Sequence, residues 1–313
     1  MSPTIALDSP LLLRRVALAS VIANVGIVIT GGAVRLTGSG LGCPTVPMCT
    51  EDSLVPTPEM GIHGVIEFGN RTLTGVLAAI AIAGFVLALR QRPRRRRVVT
   101  LSVLAGLGIP AQAVVGAATV LTDLNPWVVG LHFLASVAVI LATYAFWRST
   151  AETDDRPTLT VPYPLWTLVR LVVVAALAVV VVGVMVTGSG PHAGDERVPR
   201  NGLDLETIAQ VHAELVFLFI GLVAATWFAL RAVGAGRAAN RAAVLLGICL
   251  SEGLVGFVQY FTNLPVLLVG LHMAGACAVW LGTLALVWAV RTRVPAPSTR
   301  PADRAAVPAE VAA

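Results

Sequence analysis

Along the chain, apolar runs of about twenty residues alternate with short polar breaks rich in Gly, Pro and Arg. Eight such runs stand out, at 16–36, 65–89, 98–120, 128–147, 166–187, 207–230, 242–261 and 266–290. A helix needs about 20 apolar residues to cross the hydrocarbon core of a bilayer, and each run is near or above that length. The pattern predicts an all-α membrane protein with eight transmembrane helices.

The runs fall into two matching sets of four. Aligned without gaps, the 28 residues from Gln112 and the 28 from Glu252 share ten identities, among them Val115-Gly116 with Val255-Gly256 and Val129-Gly130-Leu131-His132 with Val269-Gly270-Leu271-His272. Thr37-Gly38-Ser39-Gly40 at the end of the first run recurs as Thr187-Gly188-Ser189-Gly190 at the end of the fifth. The expected architecture is therefore two pseudo-symmetric four-helix bundles. Because each set holds an even number of spans, both enter the membrane from one side, as a parallel internal repeat. This divides the chain into an N-terminal four-helix half (1–150), a cytoplasmic linker (151–165), a C-terminal four-helix half (166–293) and an Ala/Pro-rich tail (294–313) expected to be disordered.

Composition sharpens the picture. With 56% hydrophobic and 12% charged residues, the chain is far from a soluble domain, whose charged share is about 25%. A pI of 9.6 could point to nucleic acid, but all 22 basic residues are arginines and they gather in the N-terminus, alternate loops and C-terminus. The positive-inside rule then places both termini in the cytoplasm of a multi-pass cell-membrane protein. The Arg94–Arg97 cluster reads as a topology and anionic-lipid signal, not a nucleic-acid site. Cys43 and Cys49 share the first external loop with five residues between them; in that compartment they can form a disulfide or stay as two thiols. Cys249 and Cys277 lie inside spans and read as small apolar fillers.

Polar side chains within the spans carry the candidate chemistry. On a helix, His63, Glu67 and Asn70 share one face and Arg71 borders it. Ionisable groups inside a bilayer cost at least ~2.5–3.5 kcal/mol on insertion scales, so they normally face a bundle interior or cavity. Four of the five histidines, His63, His132, His212 and His272, lie in even-numbered runs and are expected at one membrane depth. His212 and His272 suit the two axial positions of a haem iron in a four-helix bundle, whereas zinc wants more protein ligands than gather here. The other half departs from this: His132 matches His272, but Asn70 stands where the pattern Ile-x-x-x-His puts His212. Glu67 beside it can be an acid/base group or a structural partner of Arg71 or His63. Arg35 and Arg71 can hold propionates or reach toward outer headgroups.

The exit motif with Cys43 and Cys49, the segment Glu67-Phe68-Gly69-Asn70-Arg71, the paired Gly-Leu-His at His132 and His272, and Thr187-Gly188-Ser189-Gly190-Pro191-His192-Ala193-Gly194-Asp195 together resemble the haem A synthase family. The resemblance spans about 14–290. It implies an eight-helix enzyme that oxidises the C8 methyl of haem O to a formyl, giving haem A for cytochrome oxidase. It also implies a haem b held by His212 and His272, a substrate haem near His132, His63, Asn70 and Arg71, catalysis by Glu67, and a Cys43–Cys49 disulfide. The family segment reads Glu-x-x-His-Arg, so its histidine is Asn70 here, and a second cysteine pair common in relatives is missing from 188–206. Expected partners are haem O, haem A and membrane lipid, with haem O synthase and an electron donor or acceptor as candidates. The competing readings are a dihaem electron-transfer protein that modifies no haem, and a small-molecule transporter.

Overall fold

The computed structural model describes residues 9–195 and 197–293. Its elements are α1 (Pro10–Leu36), α2 (Gly61–Arg90, entered by a single 3-10 turn), α3 (Arg96–Leu121), α4 (Pro126–Ser149), β1 (Thr158–Leu159), α5 (Tyr163–Ser189), α6 (Leu205–Ala232), α7 (Gly236–Phe261), α8 (Val266–Ala289) and β2 (Arg291–Thr292). Among the described residues eight helices are long and apolar enough to cross a membrane. The protein is therefore an all-α, eight-span membrane protein. The tail 294–313 lies outside the described residues.

Several helices begin earlier than hydropathy alone indicates. α1 starts at Pro10 and not at 16, because proline is preorganised for a first helical position and Leu13 is already buried. Arg14 is carried along by resting its guanidinium over the Trp147 ring, 5.8 Å from the centroid. α7 starts at Gly236 and not at 242, since Ala238, Ala239 and Ala242 bury completely or nearly so while Arg237 and Arg241 point away. Other starts are capped. Asn125 Oδ1 accepts the Trp127 N–H at 3.0 Å and Asp204 Oδ1 accepts the Thr207 N–H at 2.9 Å, each satisfying a donor the first turn leaves unpaired.

Neighbouring helices close two rings. α1 and α3 each pack on α2 and α4; α5 and α7 each pack on α6 and α8; the sets meet where α1 and α4 contact α8, and α4 contacts α5. The turns α3–α4 and α7–α8 match in detail. Asp123 and Leu124 (φ 49° and 56°) and Asn263 and Leu264 (φ 61° and 57°) are left-handed, and the Leu124 and Leu264 amides donate to the Thr119 and Gln259 carbonyls, both at 2.8 Å.

Apolar packing is concentrated toward one end of the helices. Leu13, Ala17, Leu87, Ala88, Val98, Ala105 and Phe146 form one buried cluster. The larger cluster includes Val169, Val172, Leu230, Ala239, Leu245 and Leu286 and extends to Val137, Ile140 and Tyr144 of α4. Both clusters favour the end rich in arginine. The segment expected as a free linker is tied down there: Arg95 pairs with Asp154 at 2.9 Å, Arg97 with Glu152 at 2.8 Å, and β1 pairs antiparallel with β2. An exposed composition hid partners that come from α3 and from the chain after α8.

One buried polar contact joins the sets. Trp280 Nε1 of α8 donates to the Val137 carbonyl of α4 at 3.0 Å. Trp280→Phe removes that bond and should lower stability by about 0.5–1.5 kcal/mol, whereas Trp280→Ala adds a cavity and should cost about 3–5 kcal/mol. Thermal unfolding in detergent micelles measures both. Wild-type stability in Trp280→Phe would mean that the contact contributes nothing beyond ring packing.

Candidate functional site

The end opposite the arginines is built from polar side chains and two loops. Gly42 brings the first loop against the start of α2 so closely that a Cβ there would sit 2.3 Å from the His63 carbonyl oxygen. The next residue, Cys43, is disulfide-bonded to Cys49. Its amide donates to Glu67 Oε2 at 2.7 Å. Glu67 Oε1 takes two bonds from Arg71, from Nε at 3.1 Å and from Nη2 at 2.5 Å. The rest of the Arg71 fork reaches into the loop, to the carbonyls of Thr45 (2.8 Å), Met48 (3.3 Å) and Cys43 (2.7 Å). A guanidinium has five N–H donors, so Arg71 is fully occupied within the protein. Its position is explained by the disulfide loop it clamps and the carboxylate it aligns.

The face foreseen for His63, Glu67 and Asn70 splits in three. His63 lies in the first turn of α2, exposed, with Nδ1 2.9 Å from Ser39 Oγ. It borders an open cleft of about 610 Å³ that Thr37, Leu41, Met60, Asp195 and Arg197 also line. His132, His212 and His272 each sit nearly two turns into their helices, so His63 does not share their depth. Glu67 is buried. Asn70, deeper still, turns toward α1, where Thr30 Oγ1 donates to its Oδ1 at 2.7 Å.

Each deeper histidine lies against a glycine of the preceding helix. A Cβ on Gly116 would meet His132 at 3.3 Å, one on Gly183 would meet His212 at 3.0 Å, and one on Gly256 would meet His272 at 3.6 Å. The rings of His212 and His272 lie edge to face, with centroids 6.4 Å apart and planes at 83°. A metal–imidazole nitrogen bond is about 2.0 Å and that nitrogen lies about 1.1 Å from the ring centre, so two imidazoles on opposite sides of one metal have centres about 6 Å apart. The pair can hold one metal between them. Among the described residues His132 has no such partner ring. Its Nδ1, like Nδ1 of His212, is buried without a hydrogen bond among the described residues. Among those residues no three His, Cys, Asp or Glu side chains converge as a metal cluster.

Two groups near these rings escape a reading by motif. Glu252 of α7 brings Oε2 to 2.8 Å from His272 Nδ1. At the matching place in α3, Gln112 Nε2 donates to Ser136 Oγ at 2.7 Å. Both open the aligned 28-residue segments, and comparing their identities across that alignment is the signal that could have singled them out.

Arg35 works at the second loop as Arg71 does at the first. Its Nε donates to the His192 carbonyl at 2.5 Å and its Nη2 to that of Thr187 at 2.8 Å, while the Gly40 amide donates to the Gly194 carbonyl at 3.1 Å. The second loop thus lies against the exit of α1.

An eight-span membrane protein with paired imidazoles inside a four-helix ring is the class that fold and site define. Residues 14–194, more than half of the chain, match the model of the family described as cytochrome oxidase assembly protein, and the chain belongs to that family. It is 30% identical over 152 residues to a haem A synthase of Alkalihalophilus pseudofirmus, covering 46% of this chain and 50% of that one. Against a haem A synthase of Halalkalibacterium halodurans it is 30% identical over 148 residues (46% and 49%), and against one of Lysinibacillus sphaericus 36% over 136 residues (41% and 43%). The chain spans about half the length of the curated relatives it matches. The family match includes Cys43, Cys49, Glu67, Arg71 and His132, while His212 and His272 lie beyond it.

Arg71→Ala should cost about 3 kcal/mol, because it leaves the buried Glu67 carboxylate without its counter-charge. It should also raise amide exchange across residues 43–55, as seen by mass spectrometry; unchanged exchange there would mean the loop is held by the disulfide alone. His192 gives a pH dependence. Burial, with Arg35 and Arg200 nearby, holds its imidazole below the ordinary value. Folding then disfavours the protonated ring, so the second loop is fully stable above about pH 6.5 and loses stability as pH falls below it. Protection factors over 190–204 should drop between pH 7.5 and 5.5, and His192→Gln should abolish the drop.

Proposed function

We propose that the protein is a haem A synthase, an integral-membrane oxidoreductase that converts the C8 methyl of haem O to a formyl. The observation that carries this reading is the asymmetry of the two helix rings: one has two imidazoles 6.4 Å apart, the other a single imidazole at that level, His132, and a buried carboxylate, Glu67. In this reading residues 1–150 form the substrate half and 166–293 the haem b half, joined by 151–165. The arginine end faces the cytoplasm with both termini, in the cell membrane, and the disulfide end faces out.

The residues present fit a haem in the C-terminal half. His212 and His272, with ring centres 6.4 Å apart, would hold it; the glycines opposite them leave the rings unobstructed, and the buried apolar clusters thin out at this level. When bound there, a haem supplies one-electron transfer. In the N-terminal half His132 is the ligand for the substrate iron. Asn70, bonded to Thr30, borders the substrate without ligating it. His63 stands in the first turn of α2 beside the open cleft, where it can meet a propionate edge.

Methyl-to-formyl oxidation balances as R–CH3 + H2O → R–CHO + 4 H+ + 4 e−, with the electrons passed one at a time to an external acceptor and the protons released at the reacting carbon and the incoming oxygen. Glu67 is the carboxylate placed to receive a proton or to stabilise positive charge developing at that carbon. Oε1 already takes both Arg71 donors, so the lone pair left to receive a proton is on Oε2, beside the Cys43 amide. Arg71 and the Cys43 amide hold it in place, so it need not reorganise as charge develops. Arg71 supports substrate through that alignment and through the loop that covers the site, since its own donors are all engaged.

The test is expression with and without a supply of haem O, followed by pigment extraction and mass analysis. A formyl-bearing haem should appear only with haem O, and Glu67→Ala should reduce it about a hundredfold or more. Extraction of protohaem alone from the wild type would favour a dihaem electron carrier. Full haem A formation by Glu67→Ala would remove the carboxylate from the mechanism.

A further inference from the structure

We infer that Glu252 is a positioning residue for His272: its carboxylate takes the Nδ1–H of that imidazole, making His272 a more electron-rich axial ligand and lowering the reduction potential of the haem it holds. This rests on the proposed haem b reading of His212 and His272.

The geometry is specific to this half. Glu252 sits on α7 well inside the span, with its side chain only 16% exposed, and Oε2 is 2.8 Å from His272 Nδ1. The approach is off the line of an ideal N–H bond, which leaves both atoms without formal hydrogen-bond partners among the described residues. A carboxylate in a span is costly unless it meets a proton donor or cation, and the His272 imidazole is the donor set beside it, 2.8 Å away. Ligating histidines commonly donate their second ring N–H to a carboxylate or carbonyl, which fixes the tautomer and raises ligand basicity.

A second observation comes from the residue facing Glu252. A Cβ on Gly275 would lie 1.6 Å from Glu252 Oε1 and 1.9 Å from Cδ, so the carboxylate fills the space a larger residue would take. In the aligned segment of the other half, glutamate becomes Gln112 and this glycine becomes Ala135. Gln112 turns instead to Ser136 Oγ at 2.7 Å, and both its Oε1 and His132 Nδ1 stay without partners among the described residues. Carboxylate and space occur together beside His272 and are replaced together beside His132. For His212 the nearby backbone acceptor is the neutral Val179 carbonyl. The negative charge beside His272 therefore biases one axial ligand, and a charge of that sign favours the ferric over the ferrous state.

The experiment is a redox titration of the purified holoprotein, followed by absorbance and by low-temperature electron paramagnetic resonance of the ferric state. Glu252→Gln keeps shape and removes charge. The reduced-to-oxidised ratio at a fixed poise should rise about tenfold, about 59 mV for a one-electron couple, with bis-imidazole absorbance retained. Gly275→Ala keeps the charge but displaces the carboxylate, and should shift the potential in the same direction and change the ferric g-values. If Glu252→Gln takes up no haem, Gly275→Ala carries the test alone. Wild-type potentials in the variants, even with lowered stability, would show Glu252 to be only structural and overturn the inference. A wild-type protein that binds no haem through His212 and His272 would instead overturn the reading beneath it, and the inference with it.

Discussion

Within a bilayer, helices gain little by hiding apolar surface from one another, because lipid tails are as apolar as leucine; close packing and polar contacts hold the bundle. This protein places its closest packing at one end. Leu13, Leu87, Val98 and Phe146 lock the first ring, and Val169, Val172, Leu230, Leu245 and Leu286 lock the second. The arginine-end ion pairs Arg95–Asp154 and Arg97–Glu152 reinforce the same end. With the helices fixed there, the opposite ends can stand apart around half-buried imidazoles. A bundle packed evenly along its length would have no room for a flat macrocycle.

Order at the open end comes from two arginines, beside a small apolar cluster of Leu124, Ala193 and Val198. Arg71 and Arg35 each spread a planar fork over loop carbonyls, a geometry that a lysine point charge cannot reproduce. The first fork also aligns Glu67, so the loop carrying the disulfide, the carboxylate and the start of α2 move as one unit. This is why Glu67 can be buried without being mobile: its counter-charge is one turn away and its other oxygen is held by a backbone amide 24 residues earlier. A positioned carboxylate in a water-poor site is the arrangement in which electrostatic stabilisation is strongest.

The eight spans were legible because their signal is local: twenty apolar residues leave one solution for the backbone in lipid. The disulfide and the level of His132, His212 and His272 were legible for a related reason, since loop membership and helix register follow from the spans. What hydropathy missed are contacts between segments far apart in the chain. Leu13, Ala238 and Ala239 extend helices beyond their apolar runs because partners bury them. Glu152 and Asp154 have the composition of an exposed linker, yet their partners are Arg95, just before α3, and Arg97 in its first turn. His63, Glu67 and Asn70 share a helical face on paper, but Ser39, the Cys43 amide and Thr30 pull them to three different neighbours. Helical periodicity states which residues share a face, and only the neighbours decide which of them meet.

The two rings then differ in how their polar residues are spent. In the first, Asn70 is closed off by Thr30 and Gln112 by Ser136, which leaves His132 as a single imidazole with a free ring nitrogen. In the second, the corresponding positions hold His212 and Glu252, both directed at His272. A macrocycle gripped from both faces and backed by a carboxylate is a resident. One held from a single face, with a fixed carboxylate nearby, can arrive, react and leave. On the proposed reading the frame sets where each porphyrin lies, and a handful of polar exchanges at matched positions decide which is cofactor and which is substrate.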